Sequence, residues 1–309
     1  MPDAVVTRSE SLMADGIRVL IKSCPSLNTQ NRLELLAVHL GAKQLVRLVV
    51  TDETYPLVRE FCSQHGLIQD HSSKKQAPSI RAPTGDTFTV SVDWDNPLGE
   101  FFAVVIGRSR GDVERALEFE NSNASFRSFG ELYEYPPCCV EAYADLERGG
   151  EWVSMYLGRS SLESQGSIYS NRLGVLFDGS TLLPDFFPCR IDCKSTDELG
   201  KRYESLLTRI GADEYLEQVR VSLSSPIMVR SGSLLQLYGS TQNGGLFEYD
   251  PAEARQISWK GNLSADDVFW KADSVLTSGL RLQFVARKQV LAEEPVELLN
   301  NRLLTFREN

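Results

Sequence analysis

Positive charge, histidine and long apolar runs are all scarce in this sequence, and each scarcity excludes a class of function. Lysine and arginine total 32 against 42 acidic residues, which gives a net charge of −10 and an isoelectric point near 5.0. No basic run is longer than a pair such as Lys74-Lys75. Such a surface repels nucleic-acid backbones and anionic lipids. We therefore expect neither nucleic acid nor a membrane as a partner.

The sequence also has no segment that predicts insertion into a membrane or export. No uncharged apolar run approaches the roughly 20 residues that are needed to span a bilayer. The first fifteen residues carry charges at Asp3, Arg8, Glu10 and Asp15 and contain no long apolar run. A secretory signal peptide has such a run, so this stretch is unlike one. We therefore expect a cytoplasmic protein. In a reducing compartment, clustered cysteines are typical of metal or catalytic sites rather than of structural disulfides.

Common catalytic motifs are missing too. The sequence shows no HExxH motif, no recognisable Ser–His–Asp set, and no third cysteine after Cys193 that would complete CxxxCxxC. The three histidines, His39, His65 and His71, lie far upstream of the clustered cysteines, and the first two fall in helical patterns. We therefore expect them to pack rather than to bind a metal.

Four of the six cysteines lie in two short clusters, Cys138-Cys139 and Cys189-Arg190-Ile191-Asp192-Cys193, and a proline precedes each. A helix is predicted after each cluster; the second is predicted to begin at Leu199, behind a capping box at residues 195–198. A thiol at a helix N-terminus is favoured as the thiolate, the form that binds metals. The other two cysteines, Cys24 and Cys62, are predicted to pack in the core.

The four clustered cysteines, Cys138, Cys139, Cys189 and Cys193, match either an iron–sulfur cluster or tetrahedral zinc. Cys189 and Cys193 are four residues apart and share one face of a helical turn. Adjacent cysteines do not normally converge on one small ion, and zinc ligand pairs are usually spaced by two to four residues. A cluster, most simply 4Fe–4S, lets neighbouring thiolates reach different irons. Zinc, dithiol–disulfide chemistry and a purely apolar role remain alternatives.

Charged residues beside the thiols are the candidate catalytic groups. Arg190 and Lys194 could stabilise an anionic centre or hold an acidic substrate, and Asp192 could carry a proton. We therefore predict an iron–sulfur enzyme, an oxidoreductase or sulfur transferase acting on a small or peptide-like substrate, with an electron-donor protein as a partner. The alternatives are a zinc-stapled scaffold or interaction protein without catalysis, and a dithiol–disulfide redox protein.

The two clusters, with their flanks, resemble the signature GYPxCCxxxF followed by HxPCxxDC of an uncharacterised bacterial and archaeal family. The matching runs are Leu132-Tyr133-Glu134-Tyr135-Pro136-Pro137-Cys138-Cys139-Val140-Glu141-Ala142-Tyr143 and Phe187-Pro188-Cys189-Arg190-Ile191-Asp192-Cys193-Lys194-Ser195. The resemblance covers roughly residues 100 to 210. Glu134 replaces the family's glycine, and Asp185 or Phe186 stands where the family has histidine. The family implies no activity. The adjacent pair also resembles the CCG domain of heterodisulfide reductases, with Val140 for the glycine and CxxxC for CxxC.

Hydrophobic patterning predicts a mixed fold, α/β or α+β, in three parts. Residues 1–121 alternate strands and helices, which predicts an α/β layer. Residues 122–210 form a helical segment that carries the cysteines. Residues 211–309 form a β-rich C-terminal module, because short strands separated by Gly, Asn and Ser turns follow Pro226.

Particular elements follow from the same patterns. Strands are predicted at 17–22, 45–50 and 87–93, a helix at 54–65, and a central strand covered on both faces at 101–106. The polar, proline-containing stretch 69–85 is predicted to be a mobile loop. Trp259 and Trp270 are predicted to lie in the core of the C-terminal module.

Overall fold

The computed structural model describes residues 27, 29–78, 89–122, 126–145, 152–162, 164–173, 186–209, 211–242, 246–258, 263–278, 280–297, 300 and 302–307. The predicted strand 17–22, Cys24, Asp185 and Trp259 lie outside these residues. The chain has the predicted mixed α/β composition, with helices concentrated in its first two thirds and strands in its last third.

The N-terminal part contains a three-stranded antiparallel sheet with helices packed on it. Its elements are α1 (Thr29–His39), β1 (Leu45–Val50), α2 (Tyr55–His65), β2 (Ile68–His71), β3 (Lys75–Pro78), β4 (Thr89–Val92), β5 (Phe102–Gly107) and α3 (Arg110–Asn121). The strand order is β1-β5-β2, and β3 pairs with β4 in a separate ribbon. All six residues of β5 are buried. The prediction of a covered central strand is confirmed.

The prediction of a mobile loop over residues 69–85 is wrong for its first ten residues. Gln69 belongs to β2, which pairs with β5, and residues 75–78 form β3, which pairs with β4. The pairing partners lie later in the chain, so the local polar composition did not reveal them. Residues 79–85 lie outside the described residues.

The central part is helical, as predicted, and leads into a long helix. Its elements are α4 (Phe126–Leu132), α5 (Pro137–Ala144), α6 (Trp152–Gly158), the two-residue strand β6 (Gly166–Ser167), a 3-10 turn Ile168–Ser170, and α7 (Lys194–Arg209). Helix α7 begins at Lys194 rather than at Leu199. The predicted capping residues therefore lie inside its first turns.

The C-terminal part begins with one more helix and continues as strands. Its elements are α8 (Asp213–Ser224), β7 (Ile227–Arg230), β8 (Ser233–Gln236), β9 (Gly239–Thr241), β10 (Leu246–Tyr249), β11 (Arg255–Ser258), β12 (Ser274–Ser278), β13 (Arg281–Ala286), β14 (Gln289–Pro295), β15 (Arg302–Leu304) and β16 (Phe306–Arg307). One sheet has the order β14-β13-β12-β10-β9 and another has β11-β8-β7-β15. Trp270, which was predicted to lie in the core, is half-buried and packs against it, on the buried Phe269.

The largest cluster of buried apolar side chains draws on all three predicted parts of the chain. It runs from Leu27 and the N-terminal sheet, through Cys139, Cys189 and Cys193, to Leu304 and Phe306 near the C-terminus. A second cluster fills the C-terminal sheets. These three cysteines therefore lie inside the main core. The three-way domain division stays a prediction. Among the described helices, none is long and apolar enough to cross a membrane.

Candidate metal centre

The two cysteine clusters, fifty residues apart in sequence, converge on one point in the structure. The Sγ atoms of Cys138, Cys139, Cys189 and Cys193 all lie within 4.8 Å of one another. Cys193 Sγ is 3.6 Å from Cys139 Sγ and 3.8 Å from Cys138 Sγ, and the adjacent pair is separated by 3.9 Å. All four are free thiols. The sulfur atoms of the adjacent pair thus lie near each other, and the four side chains form a set that could bind a metal.

A helix ending directs the first cluster toward this point. The Tyr135 N–H donates to Gly130 O at 2.8 Å and the Glu134 N–H donates to Glu131 O at 3.3 Å, which is the Schellman pattern that closes α4. Glu134 occupies the left-handed position of that pattern, with φ at +58°. The residue that the family signature places there, glycine, adopts this conformation without strain.

The chain then continues as α5 after the four residues 133–136. Pro137 is the first residue of α5, where its missing N–H costs no hydrogen bond, and Cys138 and Cys139 follow in the first turn. The Cys139 N–H donates to Pro136 O at 2.8 Å. The prediction of two thiols at a helix N-terminus is confirmed.

The second cluster is held by hydrogen bonds to its backbone. The Ile191 N–H donates to Ser160 Oγ at 3.1 Å, and Ile191 O accepts from the Ser167 N–H at 2.9 Å. Cys193 O accepts from the Asp197 N–H at 3.0 Å, so this cysteine stands directly before the first turn of α7. Both sides of the loop are therefore fixed, one by α6 and its following loop and the other by α7.

The sulfur of Cys139 has hydrogen-bonding partners in the second cluster and in α7. The Cys189 N–H donates to Cys139 Sγ at 3.4 Å. The hydroxyl of Thr196, whose side chain is fully buried, lies 3.5 Å from the same sulfur. Thr196 belongs to the predicted capping box, but it faces the cysteines instead. Sequence reasoning missed it, although its spacing of three residues from Cys193 on a helix places both on one face.

The thiols differ in how readily they lose a proton. Hydrogen bonding to Cys189 and Cys193, followed by burial, raises the pKa of Cys139 far above its ordinary value. Hydrogen bonds from Cys139 and Cys189 lower the pKa of Cys193 well below its ordinary value. These opposite directions favour a thiolate at Cys193 over one at Cys139. Binding a metal ion releases the protons of the remaining thiols, so metal affinity rises with pH.

Two of the three candidate catalytic residues, Arg190 and Asp192, lie between Cys189 and Cys193, and the third, Lys194, is the first residue of α7. Arg190 Nε is 2.7 Å from Asp192 Oδ1, although the two groups are not aligned as a hydrogen bond. The other carboxylate oxygen of Asp192 accepts from Ser164 Oγ at 3.1 Å. Lys194 is exposed at the start of α7. Arg190 and Asp192 therefore pair with each other.

Among the described residues, the set that could hold a metal includes none of the three histidines and not Cys62. The rings of His39 and His65 are 4.3 Å apart and both contact Phe61, and His71 stacks on Trp94. Cys62 is buried, as predicted for a core residue. Phe186, one of the two residues at the histidine position of the family signature, is also buried, with its ring 5.2 Å from that of Tyr135.

No family model, curated protein or solved structure matches this chain. The resemblance of the cysteine signature stays a prediction. The geometry and chemistry of the four thiols therefore carry the functional assignment.

Proposed function

We propose that Cys138, Cys139, Cys189 and Cys193 bind one tetrahedral metal ion, zinc, in a centre that stabilises the fold. The observation that carries this proposal is the spacing of the sulfur atoms. With zinc–sulfur bonds of about 2.3 Å, the edge of a tetrahedron of four thiolates is about 3.8 Å. The three Sγ–Sγ separations among Cys138, Cys139 and Cys193, which are 3.6, 3.8 and 3.9 Å, agree with that edge, and Cys189 Sγ lies within 4.8 Å of each of these sulfurs.

Four thiolates leave no open coordination position, which is typical of structural zinc sites. Three of the four, Cys139, Cys189 and Cys193, are buried in the main core, between α5 and the start of α7. A metal ion there links two pieces of chain that are distant in sequence. Its binding free energy therefore adds to the free energy of folding.

An iron–sulfur enzyme is the second candidate, and the exposure of Cys138 is the observation that favours it. An exposed ligand can exchange for a substrate. Arg190 and Asp192 lie between two other ligands on their loop, and Lys194 follows at the start of α7. Thiolates on four different irons are held apart by the metal–metal separations, however, and therefore lie farther apart than the edge of one tetrahedron. The close set of sulfurs, all within 4.8 Å, favours a single ion.

Metal analysis of protein purified without air and without added metal tests the proposal. We expect one zinc per chain, a colourless protein, and loss of folding cooperativity when a strong chelator removes the zinc. A brown protein that contains several irons and sulfide per chain would instead support the second candidate. A protein that binds neither metal after reconstitution contradicts both.

A pair of cysteine variants separates metal loss from ordinary loss of packing. Cys139→Ala removes a ligand, so metal content and stability should fall together. Cys62→Ala removes a thiol that is equally buried but lies outside the centre, so stability should fall while zinc remains at one per chain. Under the enzyme candidate, Arg190, Asp192 or Lys194 variants should retain metal and lose turnover.

A further inference from the structure

The four cysteines of the centre differ in exposure and in hydrogen bonding. Cys138 is exposed, whereas Cys139, Cys189 and Cys193 are 2%, 8% and 4% exposed. Cys139 accepts a hydrogen bond from the Cys189 N–H and faces the hydroxyl of Thr196. Within the part of the chain that the structure describes, the polar neighbours of Cys138 Sγ are two other sulfurs. A reagent that arrives from solvent therefore meets Cys138 first.

We propose that this centre is a redox-responsive site in which Cys138 reacts first with a low-molecular-mass disulfide and Cys193 then resolves the product, releasing the metal. The proposal rests on the proposed metal centre and adds to it a modification site and the class of reagent that acts there. Metal-bound cysteine is already a thiolate, the nucleophile that attacks disulfides.

The reaction takes two steps. In the first, the sulfur of Cys138 attacks one sulfur of the small disulfide, whose S–S bond breaks; a mixed disulfide forms on Cys138 and one small thiolate leaves. Cys138 is then no longer a thiolate ligand, and the metal is held by three cysteines.

In the second step, the thiolate of Cys193 attacks the sulfur of Cys138, a disulfide joins the two cysteines, and a second small thiolate leaves. The small disulfide gains two electrons and the two cysteines lose two. The metal ion departs with its charge unchanged, because two of its four ligands are gone.

The position of Cys193 makes it the better resolving residue. Its sulfur lies 3.8 Å from that of Cys138. A disulfide bond is about 2.0 Å long, so the two sulfur atoms must move closer by about 1.8 Å. Cys139 is at a similar distance, 3.9 Å, but it is the next residue in the chain. A disulfide between neighbours closes a small ring that includes a peptide bond, which departs from relaxed disulfide geometry.

The zinc-loaded protein treated with hydroxyethyl disulfide, a small neutral reagent, tests the sequence of events. Samples are quenched in acid at intervals, digested and mapped by mass spectrometry, while a chromogenic chelator reports released zinc. We expect the Cys138–Cys193 cross-link and zinc release to rise together, and both to reverse when a thiol reductant and zinc are added. In Cys193→Ala protein the mixed disulfide on Cys138 should persist. If that variant does not fold, the order of adduct, cross-link and zinc release in the zinc-loaded wild type tests the proposal.

Cys62 is an internal control in the same samples. It is 1% exposed, and burial raises the pKa of its thiol to about 12, so it should stay unmodified while the fold is intact. Modification of Cys62 in step with Cys138, or a first adduct on Cys139, Cys189 or Cys193, would overturn the proposal. Absence of zinc before the reagent is added contradicts the metal centre itself, whereas zinc-loaded protein that reacts in another order contradicts the exchange alone.

Discussion

The hydroxyl of Thr196 lies where it can support the proposed metal centre from outside the four thiols. Its side chain is fully buried and lies 3.5 Å from Cys139 Sγ, where it can donate to the thiolate. Thr196→Val keeps the shape of the side chain and removes the donor. Loss of a hydrogen bond between a metal ligand and a residue outside the ligand set typically lowers metal affinity about 10- to 100-fold. We therefore expect Thr196→Val to bind zinc at least about tenfold more weakly.

Competition with a chelator of known affinity measures this effect. Thr196→Ser is the matched control, because it retains the hydroxyl while losing a methyl group, and its zinc affinity should stay close to that of the wild type. Equal zinc affinities for the Val and Ser variants would show that the hydroxyl does not support the centre.

The backbone of Glu134 stores strain at the turn that precedes the first cysteine pair. Its φ of +58° is in the left-handed region, which costs non-glycine residues roughly 1 kcal/mol or more. Glycine relieves that strain but loses more entropy on folding. We expect Glu134→Gly to raise the free energy of unfolding by about 0.5–1 kcal/mol, measured by urea denaturation.

Glu131→Gly is the control for this substitution. Glu131 is also exposed but lies inside α4, where glycine lowers stability by about 1 kcal/mol. The two variants should therefore shift the urea midpoint in opposite directions. A fall in stability for Glu134→Gly would mean that the turn depends on the glutamate side chain.

At the scale of helices and strands, much of the structure could be predicted from the sequence. The helix 54–65 is confirmed as α2, with Gly66 in the left-handed position after it, because proline at the start and glycine at the end are strong local signals. Strands β2 and β3 were missed, since their polar residues gain strand structure from partners elsewhere. Helix α7 was predicted to begin too late because Ser195 and Thr196 were interpreted as caps.

The C-terminal ends of α1 and α2 meet at a histidine pair that makes stability depend on pH. Burial lowers the pKa of His39 from 6.5, and the nearby His65 and Arg108 lower it further; burial also lowers the pKa of His65. The unfolded chain therefore takes up protons before the folded chain does. Consequently the contribution of this pair to the free energy of unfolding is fully present above about pH 6.5, and it is lost as the pH falls through the lowered pKa values of the folded protein.

The double variant His39→Gln/His65→Gln isolates this contribution from acid loss of the metal. We expect its urea midpoint to fall less than that of the wild type between pH 7 and pH 5, with zinc content measured at each pH. Parallel curves for the two proteins would show that the pair does not take up protons differently on unfolding.

At the scale of the whole molecule, the sequence predicted which residues form the site but not how the chain assembles around it. Cysteine clustering and helix N-termini indicated the four cysteines that could bind a metal. The approach of their sulfur atoms depends on contacts such as Cys139 with Thr196 and Ile191 with Ser160, which no local pattern encodes. The return of the C-terminal residues to the central part was likewise not predicted.

The contact between the C-terminal strand β16 and the central strand β6 can be tested by mutation. Strand β16 pairs in parallel with β6, and the Gly166 N–H donates to Thr305 O at 2.9 Å. A Cβ on Gly166 would lie 2.3 Å from the ring of Phe306, which is buried in the core that contains the cysteines. Gly166→Ala should therefore lower the free energy of unfolding by about 1–3 kcal/mol, because the ring must move within a packed core.

Two further variants decide whether this contact is the cause. Gly158→Ala is the control, since a Cβ there meets no atom within 4 Å, and its stability should be unchanged or slightly higher. Adding Phe306→Leu to Gly166→Ala makes room for the new methyl group, so the double variant should lose less stability than the two single losses combined. Strict additivity of those losses in urea denaturation would show that the C-terminal strand does not pack against Gly166 in solution.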